Sequence, residues 1–227
     1  MSPPLSITRR SVVLSAALSL AGCADQKFYG LDMQTWADAL KRAAGLKEAP
    51  GITMEQAANI PYSSIGYRVG SSTEGLLVLA ADNNDDLLWT SSDRRALATR
   101  HGRIIKSANF GFNLTDTELL SSDPFRRMPL PTANAYRSQR LCDFTDIGLF
   151  GVRIHGEFAL RGAETIKILE HPLPTLALIE DCGSKEIDWH FQNVFWLDSE
   201  TGFVWKSVQY VHPNLEPITL EILRPPA

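Results

Sequence analysis

From residue 62 onward, turn signals punctuate the chain roughly every 8–12 residues, with no helical crossover between them. Gly70-Ser71-Ser72, Asn83-Asn84-Asp85-Asp86, Ser92-Asp93-Arg94 and His101-Gly102 separate short apolar segments, and Ser199-Glu200-Thr201-Gly202 does the same near the end. Parallel strands need connections of a dozen or more residues, so spacing this tight restricts the chain to an antiparallel meander.

The pattern predicts strands over 62–69, 75–81, 87–91, 96–100, 103–109, 139–145, 149–160, 164–170, 175–182, 186–197, 203–212 and 218–223. Alternation is plain from Val204 to Tyr210, with Val204, Lys206, Val208 and Tyr210 set against their neighbours. Residues 110–136 read as a long loop because Pro124, Pro129 and Pro131 exclude a central strand, with a short helix at 115–120. Ahead of the strands, Met33, Trp36, Ala37, Leu40 and Ala44 fall at helical spacing and predict an amphipathic helix over 31–44, ended by Gly45. Thr53 and Gln56 form a capping box for a second, short helix through Asn59, stopped by Pro61. The fold class expected is mainly β, a large antiparallel meander with one N-terminal amphipathic helix.

The first residues have a different logic. A basic start ending in Arg9-Arg10, an apolar run from Val12 to Leu20, and Ala21-Gly22-Cys23 follow the order of a secretory signal. The run is shorter than the roughly 20 apolar residues that span a bilayer. Leu20-Ala21-Gly22-Cys23 resembles the bacterial lipobox. That resemblance implies cleavage before Cys23 and a diacylglyceryl thioether on its sulfur, the one covalent lipid expected here; no other cofactor is indicated. Acyl chains contribute about 0.8 kcal/mol per buried methylene, and two or three of them anchor a protein stably. Thr8 to Val13 also resembles a twin-arginine export signal. Ala24, in place of an aspartate after the cysteine, points to the outer membrane. The expected organisation is a leader at 1–22, a lipidated cysteine and tether at 23–30, and one β-rich domain at 31–227, facing the periplasm.

Removing residues 1–22 takes away two arginines and no acid, so the net charge moves from −4 to −6. A mildly acidic chain lacks the basic footprint that nucleic acid requires. It also lacks the charge to adhere to anionic lipid, which leaves membrane attachment to the anchor. Of the three cysteines, Cys142 and Cys182 remain as a pair. In an oxidising compartment the pair reads as a disulfide closing a loop of about 40 residues, the alternative being two buried thiols.

No catalytic residue set is legible. The histidines at 101, 155, 171, 190 and 212 lack the i, i+3 or i, i+4 pairing of a helical zinc site. His155 with Glu157, and Asp188 with His190, sit two apart, as polar residues on a solvated strand face also do. There is no Gly-x-Ser-x-Gly elbow, phosphate loop or dinucleotide fingerprint. Trp89, Trp189, Trp196 and Trp205 are candidate sugar-stacking residues, and equally candidate core. Arg94, Arg95, Arg100 and Arg103 cluster around two turns and are candidates for an acidic polymer, or charges guarding a sheet edge.

Several segments carry recognisable wording: Asn59-Ile60-Pro61-Tyr62-Ser63-Ser64, Leu76 to Ala80, Leu88-Trp89-Thr90-Ser91-Ser92-Asp93, Thr99 to Lys106, Phe195-Trp196-Leu197-Asp198 and Gly202 to Gln209. Together and in this order they resemble the YjbF/GfcB lipoproteins linked to exopolysaccharide and group 4 capsule loci. His101 stands where that pattern has glycine, and residues 110–136 match least. The resemblance implies a lipid-anchored antiparallel meander bent into a half-barrel, and a part in making or exporting surface polysaccharide alongside the export machinery. It supplies no catalytic residues. The function expected is an accessory protein that binds a partner protein or glycan. A carrier of a lipid or lipid-linked sugar in an apolar half-barrel cavity is the alternative, and a glycan-processing enzyme has least support.

Overall fold

The computed structural model describes residues 51–121, 123–126 and 136–226. The leader, Cys23 with its tether, and the helix expected over 31–44 lie outside these residues. The capping box forms as read: Thr53 and Gln56 each satisfy the other's backbone N–H at the start of helix α1 (Met54–Ala58).

Twelve strands follow: β1 (Ser64–Val69), β2 (Gly75–Asn83), β3 (Asp86–Thr90), β4 (Ala96–Arg100), β5 (Arg103–Ala108), β6 (Asp116–Leu119), β7 (Tyr136–Phe144), β8 (Leu149–Ile168), β9 (His171–Ser184), β10 (Trp189–Asp198), β11 (Val204–Gln209) and β12 (Ile218–Arg224). They form one sheet in the order β5-β4-β3-β2-β1-β12-β11-β10-β9-β8-β7-β6, antiparallel throughout. The meander is thus joined head to tail by β1 and β12, and its two ends, β5 and β6, are consecutive in the chain. They meet at a thin seam, where the Ser107 N–H donates to the Leu114 carbonyl (2.8 Å) and Lys106 pairs with Asp116 (2.9 Å). The expected half-barrel is a nearly closed barrel.

Several local expectations are corrected. Residues 115–120 are not helical; β6 pairs with β7 from Asp116↔Asp143 to Leu119↔Arg140. Without it the backbone of β7 would present an open edge, and satisfying that ladder outweighs weak local propensity. The two strands expected at 149–160 and 164–170 are one, β8, with an irregularity between Leu160 and Gly162. Strand β9 runs through Pro172 and Pro174, tolerated because they precede Thr175, where pairing with β10 ends. The even alternation read from Val204 to Tyr210 fails. Val204 pairs with Leu197 but Lys206 with Trp196, so a register shift sends Val204 to the lumen and Lys206 outward.

Beyond Gly162, the β8–β9 hairpin lays Ile166, Ile168 and Leu173 over the outer residues Ala177, Ile179, Val194, Trp196 and Val208. The lumen holds the two other apolar clusters. One runs along the lumen from Ile65, Trp89 and Leu220 to Tyr67, Leu97, Phe110, Phe144, Ile154 and Phe191 at the far end. The other, at the opposite end, consists of Phe125, Phe158, Leu178, Phe195, Leu197 and Val204. Outward positions on β7 and β8 carry Arg137, Gln139, Arg153, His155 and Glu157. Apolar inside and polar outside is the inverse of a membrane-spanning barrel.

Between the two lumen clusters lies a belt of buried polar groups, set by strand register. On β10 Asn193 separates Phe191 from Phe195, and on β9 Glu180 separates Cys182 from Leu178. Glu180 is fully buried, and its carboxylate accepts from Arg103 (2.9 Å at each oxygen), Arg140 (2.8 Å), Ser138 (3.0 Å) and Asn193 (2.8 Å). Arg103 also holds Asp123 bidentately at 2.7 Å and 2.7 Å. Two guanidinium groups and two carboxylates balance, as buried charge must. Burial alone would raise the Glu180 carboxyl, but the Arg103 and Arg140 charges hold it well below its ordinary value of 4.5. Gly156 on β8 makes room, because a Cβ there would fall 2.5 Å from Ser138 Oγ and 2.6 Å from Glu180 Oε1.

The expected bridge between Cys142 and Cys182 is not formed; both are buried free cysteines. They sit on β7 and β9 with β8 between, so two strand spacings of about 4.8 Å already exceed the roughly 7 Å Cα limit for a disulfide. Burial raises both thiols above their ordinary range, and the nearby Arg140 charge only partly offsets it. In a chain beginning at residue 24, a disulfide-exchange thiol reagent should find no reactive group in the native protein and two after unfolding without reductant. Two thiols missing after unfolding would restore the bridge.

Candidate functional site

At the end of the barrel that holds Phe125 and Val204, the β2–β3 turn (Asn84-Asp85), the β4–β5 turn (His101-Gly102) and the β10–β11 turn come together. Each has a local cause. Asn84 takes a positive φ (65°), which asparagine tolerates. His101 and Gly102 both have positive φ (50° and 89°), the two-residue hairpin signature, so the histidine keeps the turn that glycine would make. In the third, Asp198 Oδ1 accepts from the N–H groups of Glu200 and Thr201 and from the Thr201 hydroxyl.

The turns frame a half-open cleft of about 520 Å³, within the range of roughly 300–1,000 Å³ typical of small-molecule sites. Its floor and walls are lumen-facing residues of β1, β3 and β12: Ile65, Leu87, Trp89, Leu220 and Ile222. Phe125 closes it toward the buried belt. The Trp89 indole N–H donates to the Thr99 hydroxyl (2.9 Å), so this wall offers a satisfied, apolar surface. Asp82, Asn84, Asp85, His101 and Thr201 stand around the opening. A second, polar void of about 600 Å³ lies beside it and shares Asn84, Asp85 and His101 with the first.

Among the described residues, Arg100, Lys206 and His101 near the opening each face a carboxylate. Arg100 grips Asp86 bidentately (2.5 and 2.7 Å), a hydrogen bond that keeps the Asp86 carboxyl below its ordinary range. Lys206 pairs with Glu221 (2.6 Å) on the outer face and lies over the Trp196 ring. His101 sits 3.5 Å from Asp85.

Of the sequence candidates, only Trp89 and Trp205 share the cleft. Trp89 is cleft floor. Trp196 is buried under the β8–β9 hairpin, its indole N–H donating to Glu164 (3.0 Å). Trp189 is half-buried at the far end, stacked on Phe191 at 4.0 Å, whereas Trp205, half-buried and edge-on to Phe203, lines the same cleft as Trp89. Arg94 is exposed on the β3–β4 turn at the far end, Arg100 is committed to Asp86, and Arg103 is buried in the charge belt, boxed by Phe125, Phe158 and Phe195. An arginine 2% exposed cannot meet a polymer, so the reading of Arg103 as a binding residue is corrected. His155 and Glu157 are exposed on β8, where Glu157 pairs with Arg137 (2.8 Å). Asp188 lies in the turn before β10, not on the strand with His190. Among the described residues, no group of three or more His, Cys, Asp or Glu could hold a metal ion. Sequence reasoning missed Asp82 and Asp123, took Asn84 only as a turn residue, and read Glu180 with Asp181 as paired carboxylates at a strand end, whereas Glu180 is buried at the barrel centre.

A nearly closed antiparallel barrel with a buried charge belt and an open mouth defines a class of β-rich domain. Residues 32–223 match the family described as group 4 capsule polysaccharide lipoprotein GfcB, YjbF, and the chain belongs to that family. It is 26% identical over 219 residues to the uncharacterized lipoprotein GfcB of Escherichia coli (strain K12), covering 95% of this chain and 99% of that protein. It is 26% identical over 179 residues to the uncharacterized lipoprotein YjbF of the same strain, covering 77% and 82%. The crystal structure of the hypothetical lipoprotein YmcC from Escherichia coli (K12) superposes with a TM-score of 0.68 at 26% identity, covering 76% of this chain and 89% of that one.

Proposed function

We propose that this chain is a lipid-anchored accessory protein of capsule or exopolysaccharide assembly, held in the envelope through Cys23, and that it acts by binding a glycan, free or as the head of a larger molecule, at the barrel mouth rather than by turnover. Membership of a capsule-polysaccharide lipoprotein family across residues 32–223 carries the biological role. The mouth supports the mode of action, since it combines a cleft of ligand size with a rim of hydroxyl-binding carboxylate, amide and hydroxyl groups. The exposed outer arginines give less support to a polyanion, being dispersed or already paired.

Deleting the gene should lower surface polysaccharide. The wild-type gene should restore it, and Ile222→Trp, which fills the cleft while leaving the charge belt intact, should not. Normal polysaccharide in the deletion strain would remove the role; full restoration by Ile222→Trp would remove the cleft from it.

A further inference from the structure

We infer that the mouth is a site for an amphiphile with an uncharged, hydroxylated head: a single alkyl, acyl or prenyl chain seated in the cleft, with the sugar-like head lying across the rim into the neighbouring polar void. The link to polysaccharide rests on the proposed role, whereas the ligand's chemistry rests on the two voids alone.

The voids differ in character and meet along one line. The first is walled by Ile65, Leu87, Trp89, Leu220 and Ile222, side chains that offer dispersion contacts and no hydrogen bonds. A free oligosaccharide placed there would leave its buried hydroxyls without partners. A hydrocarbon chain meets no such penalty, and its burial follows from apolar area removed from water. The second void, of about 600 Å³, presents Asn83, Asn84, Asp85, Arg100, His101 and Ser121, with Leu119 and Leu120 as its apolar part. Asn84, Asp85 and His101 border both, so a molecule crossing that line passes from apolar to polar surroundings over the width of one turn. That is the division an amphiphile makes between chain and head.

Charge sets the kind of head. Asp82 and Asn84 are exposed at the rim and Asp85 is half-exposed, whereas Arg100 and Lys206 are each held by a carboxylate and Arg103 lies buried beneath Phe125. A phosphate or carboxylate head would face like charge, with no uncommitted guanidinium among the described side chains of the rim to receive it. Hydroxyls, in contrast, donate to carboxylates and exchange bonds with the Asn84 amide and the Thr201 hydroxyl.

The test uses the mature chain and three probes: dodecyl maltoside below its micellar concentration, maltotetraose, and dodecyl phosphate. Trp89 in the cleft floor supplies a fluorescence signal, and native mass spectrometry gives the stoichiometry. Dodecyl maltoside should bind saturably at one per chain, at least tenfold tighter than either other probe. Ile222→Trp should weaken it at least tenfold with an unchanged melting temperature, and Leu87→Phe serves if that variant does not fold. Equal binding of dodecyl phosphate, equal binding by a folded cleft-filled variant, or no saturable binding would each overturn the assignment. Loss of surface polysaccharide in the Ile222→Trp strain, with no dodecyl maltoside binding by the wild type, would refute this ligand class and leave the polysaccharide role standing.

Discussion

Replacing Glu180 with glutamine should destabilise the domain by about 3–5 kcal/mol, the usual cost of removing one partner from a buried ion pair. Its carboxylate is the shared acceptor for Arg103, Arg140, Ser138 and Asn193 at full burial. Without its charge, two buried guanidinium groups are left with Asp123 as their one carboxylate. The cost should show in the urea midpoint at pH 7 and shrink in the Glu180→Gln/Arg140→Met double variant, which restores charge balance; strictly additive effects would mean the belt is not one unit. The pH dependence has a definite sign. The folded carboxyl ionises below its ordinary 4.5, so its contribution is complete above that pH and is lost as pH falls through the folded value. Wild-type stability should therefore drop on acidification below about pH 4.5, and the glutamine variant should show a shallower slope there.

Gly102→Ala should cost about 3 kcal/mol or more, through two separate penalties. Its φ of +89° is a conformation that costs an L-residue with a Cβ about 1–2 kcal/mol. The new Cβ would also stand 2.5 Å from Val204 Cβ and 2.7 and 2.9 Å from its methyls, overlaps relieved only by moving the turn off β11. Such a movement would break the Gln209 side-chain bonds to the Gly102 carbonyl (2.8 Å) and the Ile104 N–H (3.0 Å). Val204→Ala should recover part of the loss, since it removes the methyls and leaves both the Cβ overlap and the backbone strain. His101→Gly in the same turn is the contrast. It relieves a positive φ and gives up a partly exposed contact with Asp85, so its net effect should stay within about 1 kcal/mol. A Gly102→Ala melting curve matching the wild type would show that the turn does not approach β11 as closely as described.

Gln209 ties the start of β5 to β11 across the lumen. Strand β5 turns into the lumen, where Gln209 rather than another strand satisfies the Ile104 N–H, and this inward turn carries Arg103 to the barrel centre. Nothing in Thr99-Arg100-His101-Gly102-Arg103 distinguishes the solvent-facing arginine from the buried one. Arg100 and Arg103 flank the same turn, and their fates differ by where the hairpin leans. The same blindness applies to Trp89 and Trp196. Both were legible as strand tryptophans, but the first faces the lumen and the second the outer layer, and only the β8–β9 hairpin folding over the outside buries the latter.

Local chemistry determined the turns, the capping box, the antiparallel class and most strand positions. These depend on φ preferences, short-range hydrogen bonds and period-two patterning, all written within a few residues of one another. The membership of residues 32–223 in a lipoprotein family was legible too, as ordered wording along the strands. Tertiary structure alone decided the head-to-tail pairing of β1 with β12, the strand at Asp116–Leu119, the separation of Cys142 from Cys182, and the buried Glu180 belt. The reason is physical: which edges pair, and which polar groups must be satisfied once water is gone, are properties of the closed barrel. No short stretch of the chain contains them.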